Sequence, residues 1–310
     1  MVYKPEGHLI TMTENYEYVS SRAGLERAME RGRILEAVAM LCDKDFTLHF
    51  DLGGMRGRML RTEAEDNRMG DPVKDIAVLT RVGKPTCFKV VGFSEERSGE
   101  TVAVLSRRAA QADCRLHMID ALEPGDILPA RITHLEPFGA FVDIGCGIIS
   151  LLPIDAISVS RIAHPRDRFH AGDKIFVVVK TIDGTGRIYV TQRELLGTWE
   201  ENVARFSVGQ TVAGIVRSIE SYGIFIELAP NLAGLAEWKE GVTVGARAAV
   251  YIKSILPEKM KVKLVIIDTH HEEGTCAPLQ YFIDPQKNTH LSAWRYSPSH
   301  ARKLVETVFD

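Results

Sequence analysis

Apolar and β-branched residues fall along this chain in short runs broken by glycine-containing turns, a pattern of strands rather than long helices. Residues 126–134, 140–144 and 148–152 form one succession of such runs. Residues 174–182 and 187–192 continue it, with Asp183-Gly184-Thr185-Gly186 between them as a turn signal. The pattern returns at 210–219, 224–228, 247–255 and 260–266. Between these blocks the spacing predicts helices over 16–31, 109–122 and 194–206. An extended piece at 279–283 and a short helix running to Phe309, capped by Ser297 with Pro298 in its first turn, are expected in the tail.

The two strand-rich blocks are copies of each other. At an offset of 84 residues Gly125-Asp126-Ile127 falls on Gly209-Gln210-Thr211, and Phe138-Gly139-Ala140-Phe141 on Tyr222-Gly223-Ile224-Phe225. Asp143 then falls on Glu227 and Leu151 on Leu235. A weaker copy lies upstream, where Phe46 aligns with Phe138, Thr47 replaces the glycine and His49 the second aromatic. Five short strands in about 70 residues suit a small closed barrel such as the OB-fold. The expected fold is mainly β: three tandem five-stranded OB-type barrels, the first degenerate, joined by helical linkers, with a short α/β C-terminal tail. The expected division is a tail and helix at 1–31, a degenerate barrel at 32–108 and a linker at 109–121. Barrels at 122–196 and 206–268 follow, joined by a helical linker at 197–205, with an extension at 269–310.

Composition narrows the function. The chain has 310 residues, 45% hydrophobic and 25% charged, which is globular rather than disordered. A net charge of −3 supplies no global basic field, so any anion must meet a local face. No apolar run could span a bilayer, and residues 1–15 lack the core of a signal peptide, so no membrane partner and a cytoplasmic location are expected. The five cysteines form no Cys-x-x-Cys pair and are expected to be reduced and mostly buried.

The run 125–127, 138–145 and 151–154, continued through Ala171-Gly172-Asp173-Lys174 and 183–191, resembles the S1 domain. That domain is the RNA-binding repeat of bacterial ribosomal protein S1 and of several ribonucleases. Residues 122–196 match it well, 206–268 fairly and 32–108 in degenerate form. The whole arrangement is similar to the short S1-type proteins of Gram-positive bacteria. The resemblance implies an RNA-facing surface with two aromatics, a histidine after the third strand and an Asp/Arg pair at the last hairpin. Phe138 and Phe141 match the aromatics, and Asp183 and Arg187 the pair. In the last copy Tyr222 and Phe225 match the aromatics and Lys261 stands near the arginine position. The histidine position holds Pro153, Glu237 and, in the first copy, Arg61.

These residue types suit single-stranded RNA, which offers base faces for stacking and a charged backbone for cations. Aromatics three apart face opposite sides of an ideal strand, so one shared face requires a bend, which Gly139 or Gly223 permits. The alternative is that the rings are barrel core; two pairs at one phase favour platforms. Lys259, Lys261 and Lys263 alternate along the last hairpin near Lys253, and Arg161, Arg166 and Arg168 cluster in the middle connection. Either cluster is a phosphate-binding face or a solvated one.

No nucleophile elbow, phosphate-binding loop or zinc-protease motif occurs, so no catalytic residue and no cofactor are expected. His270-His271-Glu272-Glu273 with Cys276 lacks a second ligand pair, so no metal is expected there. The leading expectation is non-enzymatic binding of single-stranded RNA or mRNA in translation. The small ribosomal subunit would be met through the N-terminal region. The alternatives are an off-ribosome regulator of gene expression or RNA stability, and a protein-interaction scaffold with little RNA binding.

Overall fold

Each strand-rich block closes on itself in the computed structural model, which describes residues 3–66, 72–96, 99–270 and 279–309. The first barrel comprises β1 (Leu35–Cys42), β2 (Leu48–Asp51), β3 (Arg56–Met59), β4 (Pro85–Glu95) and β5 (Thr101–Ser106). The second comprises β6 (Ile127–Glu136), β7 (Gly139–Asp143), β8 (Ile149–Pro153), β9 (Lys174–Ile182) and β10 (Ile188–Thr191). The third comprises β11 (Thr211–Glu220), β12 (Gly223–Ala229), β13 (Leu232–Ala236), β14 (Arg247–Leu256) and β15 (Lys261–His270). In all three the first strand pairs with the second and fourth, and a parallel pairing of the third strand with the fifth completes the closure. This is the expected OB-type architecture, with no exposed sheet edge in the barrels.

Alternation sorts each strand into an inner and an outer row. On β12, Ile224 and Ile226 are fully buried with Val216, Val250, Ile252 and Val262 in the barrel interior. On β7, Ala140 and Val142 do the same. Phe225 and Phe141, between them, face outward.

The chain divides into two compact units, Met1–Leu122 with Asp143–Ile149, and Glu123–Val142 with Ser150–Asp310. In the first, the Glu6 carboxylate receives Arg107 at 2.7 Å and Arg81 at 2.7 Å, and its N–H donates to Asp143. The described cysteines are free, with Cys87, Cys114 and Cys146 buried and Cys42 half-buried; Cys276 lies outside the described residues.

The helices depart from expectation. The single helix over 16–31 is two, α1 (Thr13–Val19) and α2 (Arg22–Glu30), because Ser21 caps the second by accepting from the Gly24 N–H. Between the second and third barrels, a 3-10 turn at Arg193–Leu196 ends at Gly197, with φ of 84°, before a short helix at Trp199–Val203. The expected tail helix is absent. Instead β16 (Ala293–Arg295) pairs antiparallel with β17 (Glu306–Val308). Ser297, expected as a helix cap, uses its hydroxyl to donate to Lys303 O and accept from Val305 N, which closes the intervening loop.

That C-terminal segment is a strap across the second unit. Trp294 and Tyr296 join the hydrophobic cluster of the third barrel, and Phe309 packs with Ile127, Val178 and Leu195 of the second. The Phe176 N–H donates to Tyr281 Oη, and Ile127 N–H to Thr289 O. Among the described residues no helix is long and apolar enough to cross a membrane.

Candidate nucleic-acid interface

Both aromatic pairs stand outside their barrels. Phe138 is 55% exposed and Tyr222 68%, so neither is core. The centroids of Phe138 and Phe141 lie 6.0 Å apart with planes at 90°; those of Tyr222 and Phe225 lie 6.0 Å apart at 88°. Two pairs, 84 residues apart in sequence, thus adopt one geometry.

The expected bend is not what unites each pair. Phe138 and Tyr222 sit in the two-residue turns before β7 and β12, so strand alternation does not bind them. Glycine follows each ring for a different reason. A Cβ on Gly139 would lie 2.5 Å from Leu152 O, and one on Gly223 2.5 Å from Ala236 O. The neighbouring strand leaves no room for a side chain.

A row of outward residues extends each pair across the sheet. Phe225 pairs with Leu235, which pairs in parallel with Lys263. In the second barrel Leu151 pairs in parallel with Tyr189, so Tyr189 occupies the place of Lys263. The same register puts Arg187 and Lys261 at equivalent positions, two residues before the row. Both are exposed. Asp183 does not pair with the Arg187 guanidinium; its Oδ1 accepts from Thr185 N, Thr185 Oγ1 and Arg187 N, which fixes the turn before β10. The Thr185 hydroxyl, then the Arg187 N–H, hold this carboxyl below its ordinary range.

Sequence reasoning overlooked three aromatic or imidazole groups here. His134 on β6 stacks on Phe141, centroids 6.4 Å apart at 25°, and its Nε2 lies 2.5 Å from Glu136 Oε1. Tyr189 lay inside the matched pattern but gained meaning only from the parallel register. Trp238, 62% exposed, stands two residues beyond Ala236 at the end of β13.

The cation clusters are redistributed. Lys261 and Lys263 share the outer face of β15, but Lys259 sits in the 3-10 turn Pro257–Lys259, off the strand. Lys253 is exposed on β14 at a register shift. Arg161 and Arg166 are exposed, whereas Arg168 is buried against Glu227 at 2.6 Å and is lost to the surface. His270 lies 3.0 Å from Asp268; the rest of that histidine-rich stretch, His271 to Cys276, is outside the described residues.

The first barrel lacks this face. Phe46 is half-buried, with the Arg61 guanidinium 5.2 Å over its ring, and His49 is held by Asp43 at 2.9 Å. Its cross-sheet row reads His49, Arg58, Val104, with Val102 in the place of Arg187.

A family model described as the S1 RNA-binding domain matches residues 121–192. The small ribosomal subunit protein bS1 of Rhizobium meliloti is 26% identical over 269 residues, 84% of this chain and 45% of that protein. The bS1 homolog of Bacillus subtilis is 28% identical over 197 residues, 62% of this chain and 50% of that protein. The bS1 protein of Staphylococcus aureus is 29% identical over 176 residues, 55% of this chain and 44% of that protein. The chain spans about half the length of these curated relatives. With three barrels of one topology and these matches, the chain is similar to the S1-type ribosomal proteins, and its second barrel carries the match to the S1 RNA-binding domain.

Proposed function

We propose that this chain binds single-stranded RNA, without catalysis, through the outward aromatic faces of its second and third barrels. The observation that carries this reading is the repeated T-shaped ring pair, one ring exposed and one half-buried, on the face that holds Arg187 in one barrel and Lys261 in the other. Rings of this kind stack on any base, and adjacent cations meet the backbone. Each stacked base contributes about 1–3 kcal/mol, and two faces in one unit reinforce each other through effective concentration.

The RNA is mRNA, and the setting is translation with the small ribosomal subunit in the cytoplasm; the names of the relatives support this assignment. The N-terminal region, whose barrel has no open ring pair, serves as the attachment module. Binding of unstructured RNA by the intact chain, compared with Phe138→Ala/Phe141→Ala, tests the first claim. A loss of about 1–3 kcal/mol per stack is expected with the fold retained. Affinity within a factor of two of wild type would overturn it. Co-sedimentation with small subunits tests the second, and RNA binding without co-sedimentation would favour a regulator acting off the ribosome.

A further inference from the structure

A groove of about 290 Å³ opens in the second unit, formed by the middle connection of the second barrel, the linker, the third barrel and the strap. None of the four platform rings lines it. Four arginines do, Arg168, Arg205, Arg217 and Arg247, against two carboxylates, Asp167 and Glu227.

Glu227 is shared. Arg168 spans its two oxygens at 2.6 and 2.7 Å, and Arg217 holds the same group at 2.9 and 3.3 Å. Burial pushes the Glu227 carboxyl up, but the two guanidiniums outweigh it and leave it below its ordinary value. The side chains of Arg168 and Arg217 are 5% and 8% exposed. Asp167 lies 3.7 Å from Arg217 and also accepts from the N–H groups of Ala163 and His164. The Nε of Arg168 is buried and has no hydrogen-bond partner among the described residues. At the rim Arg205 donates to Gln280 Oε1 at 3.0 Å, and the exposed Arg247 side chain has no polar partner among the described residues.

Four guanidiniums against two carboxylates leave the groove a positive excess, carried by Arg205 and Arg247 at its rim because Arg168 and Arg217 are matched by Glu227 and Asp167. Guanidinium forks match phosphate oxygens in geometry as well as charge. The remaining walls are apolar and include Leu196, Ile215, Leu228 and Phe282. Size places the groove at the small end of ligand sites, roughly 300–1,000 Å³.

We propose that this groove binds a nucleotide phosphate, with Arg205 and Arg247 taking the phosphoryl oxygens and the base or sugar against Phe282 and Leu228. The phosphate belongs either to a free nucleotide or to an RNA backbone.

The test titrates the full chain with a ribonucleoside 5′-monophosphate, the same nucleoside without phosphate, and an unstructured RNA. Arg205→Ala/Arg247→Ala is compared with Arg295→Ala/Lys303→Ala, which removes equal charge from exposed positions on the strap. For a free nucleotide, the monophosphate binds at least tenfold more tightly than the nucleoside. The groove variant loses at least tenfold, and the control stays within twofold. Tyr222→Ala/Phe225→Ala leaves this binding unchanged, so failure of the platform reading would register separately. If the monophosphate does not bind but RNA affinity falls tenfold in the groove variant alone, the phosphate is the backbone's. Affinities for monophosphate and RNA that respond no more to the groove variant than to the control overturn the proposal.

Discussion

Gly223 shows how one position ties the fold to the outward ring pair of the third barrel. Its φ of 148° and the Ala236 carbonyl 2.5 Å from any added Cβ leave no relaxed place for alanine. Gly223→Ala should destabilise the protein by about 1–3 kcal/mol, as overpacking does, read as a lower denaturant midpoint. It should also weaken RNA binding, because β12 must shift beneath Tyr222. The cations act at longer range. Arg187→Ala and Lys261→Ala should each weaken binding to all sequences alike and reduce the salt slope by just under one unit. An unchanged slope in both would place these side chains off the RNA path.

Glu36, 2% exposed in the first unit, is a residue with a pH signature. Burial pushes its carboxyl up to about 7, against hydrogen bonds from Ile10 N and Gly7 N, while the Glu6 charge pushes the same way as burial. The folded state therefore holds a proton that the unfolded chain, with an ordinary value of 4.5, releases. Stability from this group is present below about 4.5 and declines as pH rises towards about 7. Glu36→Gln should gain stability relative to wild type across that window and remain level above it, as paired denaturation curves would show. A difference between the two proteins that stays constant with pH would rule this out.

Elements were legible where alternation governed them and obscure where a distant partner did. The strands of the second barrel and four of the five in the third follow from the pattern of apolar and β-branched runs, and the outward rings from their repeat, whereas β13 and most of the first barrel's strands do not. Arg168, by contrast, looked like a surface cation because its partner, Glu227, lies 59 residues on. Ser297-Pro298 looked like a helix start because local chemistry suits one, yet β17 found its partner in β16. Tertiary pairing overrode local preference there. Asn231 is the same lesson at a connection. It is fully buried, its Nδ2 donates to Arg193 O and Gly197 O, and its Oδ1 accepts from Val159 N. Its own carbonyl accepts from Tyr296 Oη at 2.6 Å. Asn231→Ala strands one buried and two half-buried backbone groups, each costing up to about 1–3 kcal/mol. A loss of at least about 3 kcal/mol is expected, and one below 1 would mean that these groups find other partners.

At the scale of the molecule, the outward ring pairs are unequally distributed. Replacing Phe46 and His49 by Ala should change RNA affinity by less than twofold, because neither presents a free face. The corresponding double variants of the second and third barrels should each cost tenfold or more. Equal effects in all three would remove the division between a binding pair and an attachment module.

The strap has a consequence for how length is measured. Two barrels on a loose tether would accept any separation between stacked segments, with affinity declining smoothly as the tether lengthens. Packed together by Trp294, Tyr296 and Phe309, they behave instead as a caliper set to one gap. RNA binding should then change by steps as nucleotides are added between two base-bearing ends joined by an abasic spacer. The step should blur into a gradual slope when Trp294→Ala frees the jaws.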